Sequence, residues 1–390
     1  MKQPTICGNS LKILERLISF DTTSRKSNLD CIDFIRSHLS EFGIKSELSF
    51  NDEKTKANLL ATLGPAEHPG VLLAGHTDVV PIDGQDWKTN PFRMHEYDGR
   101  LYGRGTADMK GFLAITLALV PELLEIASSA PIHLAFTYDE EVGCLGVQRL
   151  IPQIERLPIK PIACVIGEPT EMRVVIGHKG KTILHCEVRG LECHSSLDEG
   201  VNAIEFAAEI VTTLRAIGRR LCEDGPFDSG FNPPHTTIQT GVIHGGTAVN
   251  ILPKACDFWF EFRCLPNQPP EALIDEIKTH IERDLLPKMQ ARSTETGIFL
   301  DVISDIPGLQ TPEEADVVAL AKNASGGNAT EKISFCTEGG VLQEAGIPTV
   351  ICGPGSVEQA HKPDEFVTVA QLRQAERFLR SFVRAALLYR

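Results

Sequence analysis

Basic residues are in short supply in this chain: 38 Lys and Arg face 52 Asp and Glu, for a net charge of −14. Such a surface repels nucleic acid and anionic membranes, so neither is expected as a partner. The charge is compatible with a small cationic substrate, but solubility alone is the expected reason for it. No long apolar run occurs either. The longest, Phe112 to Val120, stops at Pro121 and Glu122 and is too short to span a bilayer. No C-x-x-C pair is found among the 11 scattered cysteines, which excludes a thiolate metal clamp of that spacing and points to reduced thiols. The N-terminus, with Lys2, Lys12, Glu15 and Arg16 around a helical pattern, lacks a secretory signal, so a cytoplasmic location is expected. Walker loops, G-x-S-x-G elbows and H-E-x-x-H helices are missing, and there is no internal repeat or low-complexity tract.

What is present is an ordinary globular composition, 42% hydrophobic and 23% charged, in 390 residues, enough for two domains with separate cores. Ser10 before Leu11, Leu14, Leu17 and Ile18 predicts a capped helix, and Leu29 to Phe42 a second one ending at Gly43. Apolar runs at 58–63, 71–74, 132–137 and 162–166 read as strands, with a helix from Gly111 to about Ser128 between them. Strands alternating with helices predict an α/β fold, a mostly parallel sheet flanked by helices. In such sheets ligands gather at the carboxyl ends of the strands.

The pattern then changes. A half-exposed strand 181–189, a long helix 201–221, strands 235–243 and 255–263 and a helix 269–286 predict an inserted α+β domain of the ferredoxin-like kind. Parallel-sheet patterning resumes near Ile298 and closes with a helix at Val369–Leu388. The expected domains are therefore 1–179 and 291–390 as one discontinuous catalytic unit, with 180–290 inserted.

Several strand ends carry histidine or acid: Gly75-His76-Thr77-Asp78, Asp139-Glu140-Glu141 and Gly167-Glu168-Pro169-Thr170. Two loops add Gly103-Arg104-Gly105-Thr106-Ala107-Asp108 and, after Gly353-Pro354-Gly355-Ser356, His361-Lys362-Pro363-Asp364-Glu365. The G-x-G-x-x-D segment fails as a dinucleotide loop, since Asp108 stands where the third glycine belongs and would repel a pyrophosphate. Taken singly, each site has a plain alternative: His76 and Asp78 as a hydrogen-bonded pair, Asp108 as a turn or cap residue, Glu140 and Glu141 as a solvated turn. Together they suit a two-metal hydrolase. One ring nitrogen of His76 binds metal while Asp78 supports the ring. Asp108 spreads its carboxylate over two cations about 3.5–4 Å apart. Glu140 and Glu141 point different ways, so one can bind metal while the other faces the attacking water. Glu168, before a proline, is held extended.

These motifs together, H-T-D-V-V, G-R-G-T-A-D-M-K-G, D-E-E, G-E-P-T and G-P-G-S-x-x-x-A-H-K-P-D-E, resemble the M20 family of metallopeptidases and deacylases. The resemblance extends into the insertion at Glu199-Gly200-Val201-Asn202-Ala203-Ile204-Glu205, with Glu199 where the family has arginine. It implies a zinc-peptidase-like catalytic fold with a lid that carries a homodimer interface. It also implies one metal at His76, Asp108 and Glu168, a second at Asp108, Glu141 and His361, Glu140 as general base and Asp78 as the residue that orients His76. A cis peptide at Asp108-Met109 belongs to the same pattern. In the lid, His194 matches the histidine that reaches an active site, its own or the partner subunit's, and Asn250 and Arg263 match positions that hold a substrate carboxylate. Thr337-Glu338-Gly339 is similar to a T-E-A stretch of one branch of the family, Gly339 departing from it, so Glu338 is expected either to meet a substrate ammonium or to be a solvated loop acid. The implied activity is hydrolysis of the amide of an N-acyl amino acid, N2-acetylornithine first. N-succinyl-diaminopimelate, wider N-acyl amino acids or dipeptides, and a non-catalytic ligand-binding role are the alternatives. The implied cofactors are two divalent metals, zinc with cobalt or manganese also accepted.

Overall fold

The structure, a computed structural model, describes residues 8–388; Lys2, used above in reading the N-terminus, lies outside them. The chain forms two compact units. The first comprises Met1–Gly177, Leu309–Lys332 and Thr337–Arg390, the second His178–Gly308 and Ile333–Cys336.

The first unit is built on a mixed sheet whose centre is parallel. Ile132–Thr137, Val71–His76, Ala163–Pro169 and Thr349–Gly353 lie side by side in that order, all parallel. Ala57–Leu63 and then Ser46–Phe50 extend one margin antiparallel, and Val174–His178 adds an antiparallel strand at the other. Each central strand is buried along its whole length, which is why these segments read as continuous apolar runs rather than alternating ones. The helix Lys110–Ala118 is buried throughout and packs on Val71–His76, with Gly8–Ile18 and Val369–Leu388 against it. The single helix expected from 111 to 128 is in fact two. It breaks at Leu119, and Val120–Ile126 starts afresh with Pro121 in its first turn, because a proline cannot donate into a continuing helix.

One residue of this sheet makes its stability depend on pH. His133 is fully buried, its Nδ1 meets the Thr62 hydroxyl at 2.9 Å, and its Nε2 has no partner. Burial pushes its pKa down from 6.5 to about 4. The unfolded chain therefore takes up the proton first as pH falls. The resulting loss of stability begins near pH 6.5, grows until about 4 and then stops. Denaturant unfolding should show the wild-type chain losing on the order of 3 kcal/mol more over that interval than His133→Gln; equal slopes would contradict the assignment.

The second unit is a four-stranded antiparallel sheet ordered Thr237–Gly245, Ala255–Cys264, Gly180–Arg189, Gly297–Ile306, the ferredoxin-like arrangement. Alternate residues face a core: Leu184, Cys186 and Val188 from one strand, Phe258, Phe260 and Phe262 from its neighbour. Ala203–Asp224 covers it with Ala207, Ile210, Leu214 and Ile217, and its Asn202 side chain caps the backbone N–H groups of Ile204 and Glu205. The inserted unit runs to Gly308, not 290. Gly297–Ile306, whose patterning suggests a return to the parallel sheet, pairs antiparallel with Gly180–Arg189 and packs Ile298 and Leu300 on the second core. Strand character is local, whereas the choice of sheet depends on a partner more than a hundred residues away. Among the described residues, no helix is long and apolar enough to cross a membrane.

Candidate metal centre

The five proposed ligands converge because four of them follow the carboxyl ends of parallel strands. His76 ends Val71–His76, Glu141 follows Ile132–Thr137, Glu168 lies at the end of Ala163–Pro169, and His361 follows Thr349–Gly353. Asp108 arrives from the loop before Lys110–Ala118. Two glycines let that segment lie close against the strands. A Cβ on Gly75 would sit 2.3 Å from the Met109 side chain, and one on Gly167 would fall 1.9 Å from the Phe112 ring. The residue after each of these glycines is a ligand candidate, so the close approach sets the spacing of the centre. The Asp108–Met109 peptide is cis, and His361 has φ +63°.

Two overlapping sets result. His76, Asp108 and Glu168 form one and Asp108, Glu141 and His361 the other, with ligand atoms within 4.8 Å of one another in each. Asp108 is shared, and its oxygens are divided. Oδ1 lies 3.0 Å from His76 Nε2, while Oδ2 lies 3.3 Å from His361 Nε2. Glu168 Oε1 stands 3.7 Å from His76 Nε2, and Glu141 Oε2 stands 3.0 Å from His361 Nε2. On the far side of its ring His76 uses Nδ1, 2.9 Å from the carbonyl oxygen of Asp78. A carbonyl only accepts, so Nδ1 carries the hydrogen and Nε2 is the ring atom free to bind a cation.

The electrostatics fit such an occupant. Burial lifts Glu141 to about 7, aided by the Asp108 charge and opposed by His361. Burial also raises Glu168 well above the usual carboxylate range, again with Asp108 adding to it. His361, bonded to Asp108 and Glu141, is raised to about 10. For His76 burial opposes the charged ring, but Asp108 and Asp78 outweigh it and hold its pKa well above the ordinary value. Crowded carboxylates drive one another toward protonation and the imidazoles toward their charged form. Divalent cations meet the same demand for positive charge. Glu141 Oε1, buried without a hydrogen-bond partner, is a further oxygen waiting for a ligand.

The chain matches peptidase family M20/M25/M40 over residues 72–385. It belongs to that family. It is 37% identical to the acetylornithine deacetylase of Myxococcus xanthus over 377 residues, 94% of each chain. The fold is similar to that of a tripeptidase from Staphylococcus aureus, with a TM-score of 0.73, 20% identity and coverage of 99% of this chain and 100% of the other. It is also similar to that of the YXEP protein of Bacillus subtilis, described as a dinuclear metal-binding peptidase of the M20 family, at a TM-score of 0.70 and 14% identity over 98% of each chain.

In this family member the supports of the centre are as informative as its ligands. The Asp78 carboxylate does more than face His76, whose Nδ1 it approaches only to 3.5 Å. Its Oδ1 accepts the backbone N–H of Glu140 at 3.1 Å, and its Oδ2 accepts that of Glu141 at 3.3 Å and the Ser24 hydroxyl at 2.7 Å. Glu365 holds the bridge: its Oε1 accepts the N–H groups of Ala107 and Asp108 at 2.9 and 3.1 Å, and its Oε2 pairs with Arg104 at 2.7 Å. Arg104 also bonds the carbonyl of Lys362, beside His361. Sequence reasoning gave no role to Ser24, Arg104 or Glu365. Arg104 and Glu365 lie inside quoted motifs, which was the available signal; Ser24 had none.

The remaining residues fall elsewhere. His194, Asn250 and Arg263 lie in the second unit. The Ser195 N–H donates to the Asn250 carbonyl at 3.0 Å, which places His194 and Asn250 on joined loops. His194 Nδ1 accepts the Ser196 N–H at 3.2 Å, so its Nε2 carries the hydrogen. Arg263 is held by Glu261 through Nε and Nη2, at 3.0 and 3.2 Å. Glu338 departs from one of its two expected roles. It is 1% exposed inside the first unit, raised to about 7 by burial against a lowering bond from Thr137 and close enough to His76 and Asp78 to feel their charges, so it is not a solvated loop acid.

Proposed function

We propose that the chain is a two-metal amidohydrolase of N-acyl amino acids that converts N2-acetyl-L-ornithine to L-ornithine and acetate. The observation that carries the chemistry is the division of the Asp108 oxygens between two ligand sets, with Glu140 on the turn that delivers Glu141. The substrate rests on the likeness to the Myxococcus xanthus acetylornithine deacetylase across 94% of the chain. Imidazole and carboxylate donors without thiolate suit zinc, and cobalt or manganese would also be accepted. Divalent cations held by His76, Asp108 and Glu168 and by Asp108, Glu141 and His361 would polarise the acyl carbonyl and lower the pKa of a water from about 16 to about 7.

The chain does the rest. Glu140 takes a proton from the attacking water as the water oxygen bonds to the acyl carbon. It returns that proton to the amide nitrogen as the C–N bond breaks, releasing acid and free amine. Asp78 fixes the backbone of Glu140 and Glu141 during both transfers. His194 offers its Nε2–H to the oxyanion, and Asn250 with Arg263, already oriented by Glu261, receives the substrate carboxylate. His194→Ala should lower kcat by about 10²–10³-fold with metal content unchanged; an unaltered kcat removes His194 from the mechanism.

A homodimer through the second unit belongs to the same proposal, supported by Val242 and Ile243 exposed on its edge strand. So does a cytosolic location, supported by the absence of any disulfide among the ten described cysteines. The substrate is tested by acid release from N2-acetylornithine, N-succinyl-diaminopimelate, N-acetylmethionine and a dipeptide. The proposal expects the first to give the highest kcat/KM. A higher value for the succinyl compound would reassign the substrate, and no release from any of them would point to a non-catalytic relative.

A further inference from the structure

Asp139, the residue before the base, is half of a buried ion pair that none of the chemistry above uses. It has φ +53°, in the left-handed region, and it opens the turn on which Glu140 and Glu141 sit. The turn is held on its backbone side by Asp78, which accepts the Glu140 and Glu141 N–H groups. On its side-chain side it is held by Lys56, whose ammonium meets Asp139 Oδ1 at 2.7 Å and Oδ2 at 2.6 Å. The same ammonium donates to the carbonyl of Ser24, and the Ser24 hydroxyl donates to Asp78 Oδ2 at 2.7 Å. A closed ring of contacts results: Lys56 to Asp139, Asp139 through the chain to Glu140, Glu140 to Asp78, Asp78 to Ser24, and Ser24 back to Lys56. The ring joins four stretches of chain distant in sequence, and the residue it encloses is the proposed base.

The two charged side chains are only 15% and 9% exposed. A pair this buried gives up so much hydration that apolar replacements of similar volume are often as stable, so stability alone is a weak reason for its presence. What it supplies is direction. It anchors both carboxylate oxygens of the residue preceding Glu140, against an acceptor that is itself tied to Asp78.

We propose that Lys56 is a positioning residue for the general base: clamped between Asp139 and Ser24, it fixes the turn that aims Glu140. This inference rests on the amidohydrolase reading. Lys56 touches neither the ligand atoms nor the reacting groups, so its loss should leave binding of metal and substrate in place and misaim the proton transfer.

The test compares Lys56→Met and Lys56→Arg in the full-length, metal-loaded protein. Lys56→Met should lower kcat by about 10- to 100-fold, the cost of misplacing a catalytic group by about 1 Å, with KM within about threefold and metal content unchanged. Lys56→Arg, which keeps the charge and the reach, should restore most of the loss. Amide hydrogen exchange at Glu140 and Glu141 should quicken in Lys56→Met, with no change in the strand Ala255–Cys264. Should Lys56→Met not fold, Asp139→Asn carries the same expectations. A kcat within about twofold of wild type, unchanged exchange at Glu140 and Glu141, or a loss of metals that accounts for the loss of rate would each overturn the proposal. The exchange measurement needs no substrate. Active wild type with unchanged exchange therefore refutes Lys56 alone, whereas wild type without amidase activity refutes the hydrolase reading and, with it, any catalytic role for Lys56.

Discussion

Replacing Glu140 by glutamine is expected to lower turnover by about 10²–10⁴-fold and to leave the metal content of the protein unchanged. Glutamine matches glutamate in size but has no lone basic site for a proton. The backbone of residue 140 keeps its bond to Asp78, because that bond uses the N–H and not the side chain. The ligand sets are untouched as well, since Glu140 belongs to neither of them. Its neighbour behaves differently. Glu141 lies 3.0 Å from His361 Nε2 and is part of the second set. Glu141→Gln should therefore lose metal as well as rate. Two adjacent acids giving two different defects would separate proton transfer from ligation. Turnover by Glu140→Gln close to that of wild type would assign the base to another residue.

Asp108→Ala should have the broadest effect of any single ligand change. Each of its oxygens faces a different imidazole, so one substitution removes a donor from both sets. Loss of both cations forfeits several kcal/mol of transition-state stabilisation, about a thousandfold in rate or more. The prediction is that Asp108→Ala retains neither metal after dialysis and releases no acid above background. Glu168→Gln alters only one set and should keep a metal at the other. Metal analysis and rate on the same preparations decide this. If Asp108→Ala held two metals per chain, the bridging role would be wrong.

The candidate ligands were legible in the sequence for a physical reason. Strands buried on both faces read as unbroken apolar runs, and the first polar residues after such runs are where a parallel sheet presents its chemistry. His76, the Asp139 to Glu141 turn and Glu168 all carry that signature. Apart from Asp78, the supports were not legible. Lys56, Ser24 and Arg104 act across gaps of 32 to 261 residues, through contacts that no local pattern announces. Glu338 had a solvated loop acid as one of its two readings because its neighbours are small and polar, yet the fold buries it. The strand Gly297–Ile306 was recognisable as a strand but not as part of the second sheet, since periodicity reports exposure and not partnership. The break at Leu119 had a visible cause in Pro121, which the apolar periodicity around it concealed.

The most direct test of the two-metal amidase is a titration. Chelator-treated protein is supplied with increasing zinc while bound metal and acetate released from N2-acetylornithine are measured in the same sample. The account predicts no release from the metal-free chain, and a rate that reaches its plateau when two zinc ions are bound per chain. Full activity without metal, or two bound ions with no acid released from any N-acyl amino acid, would contradict it.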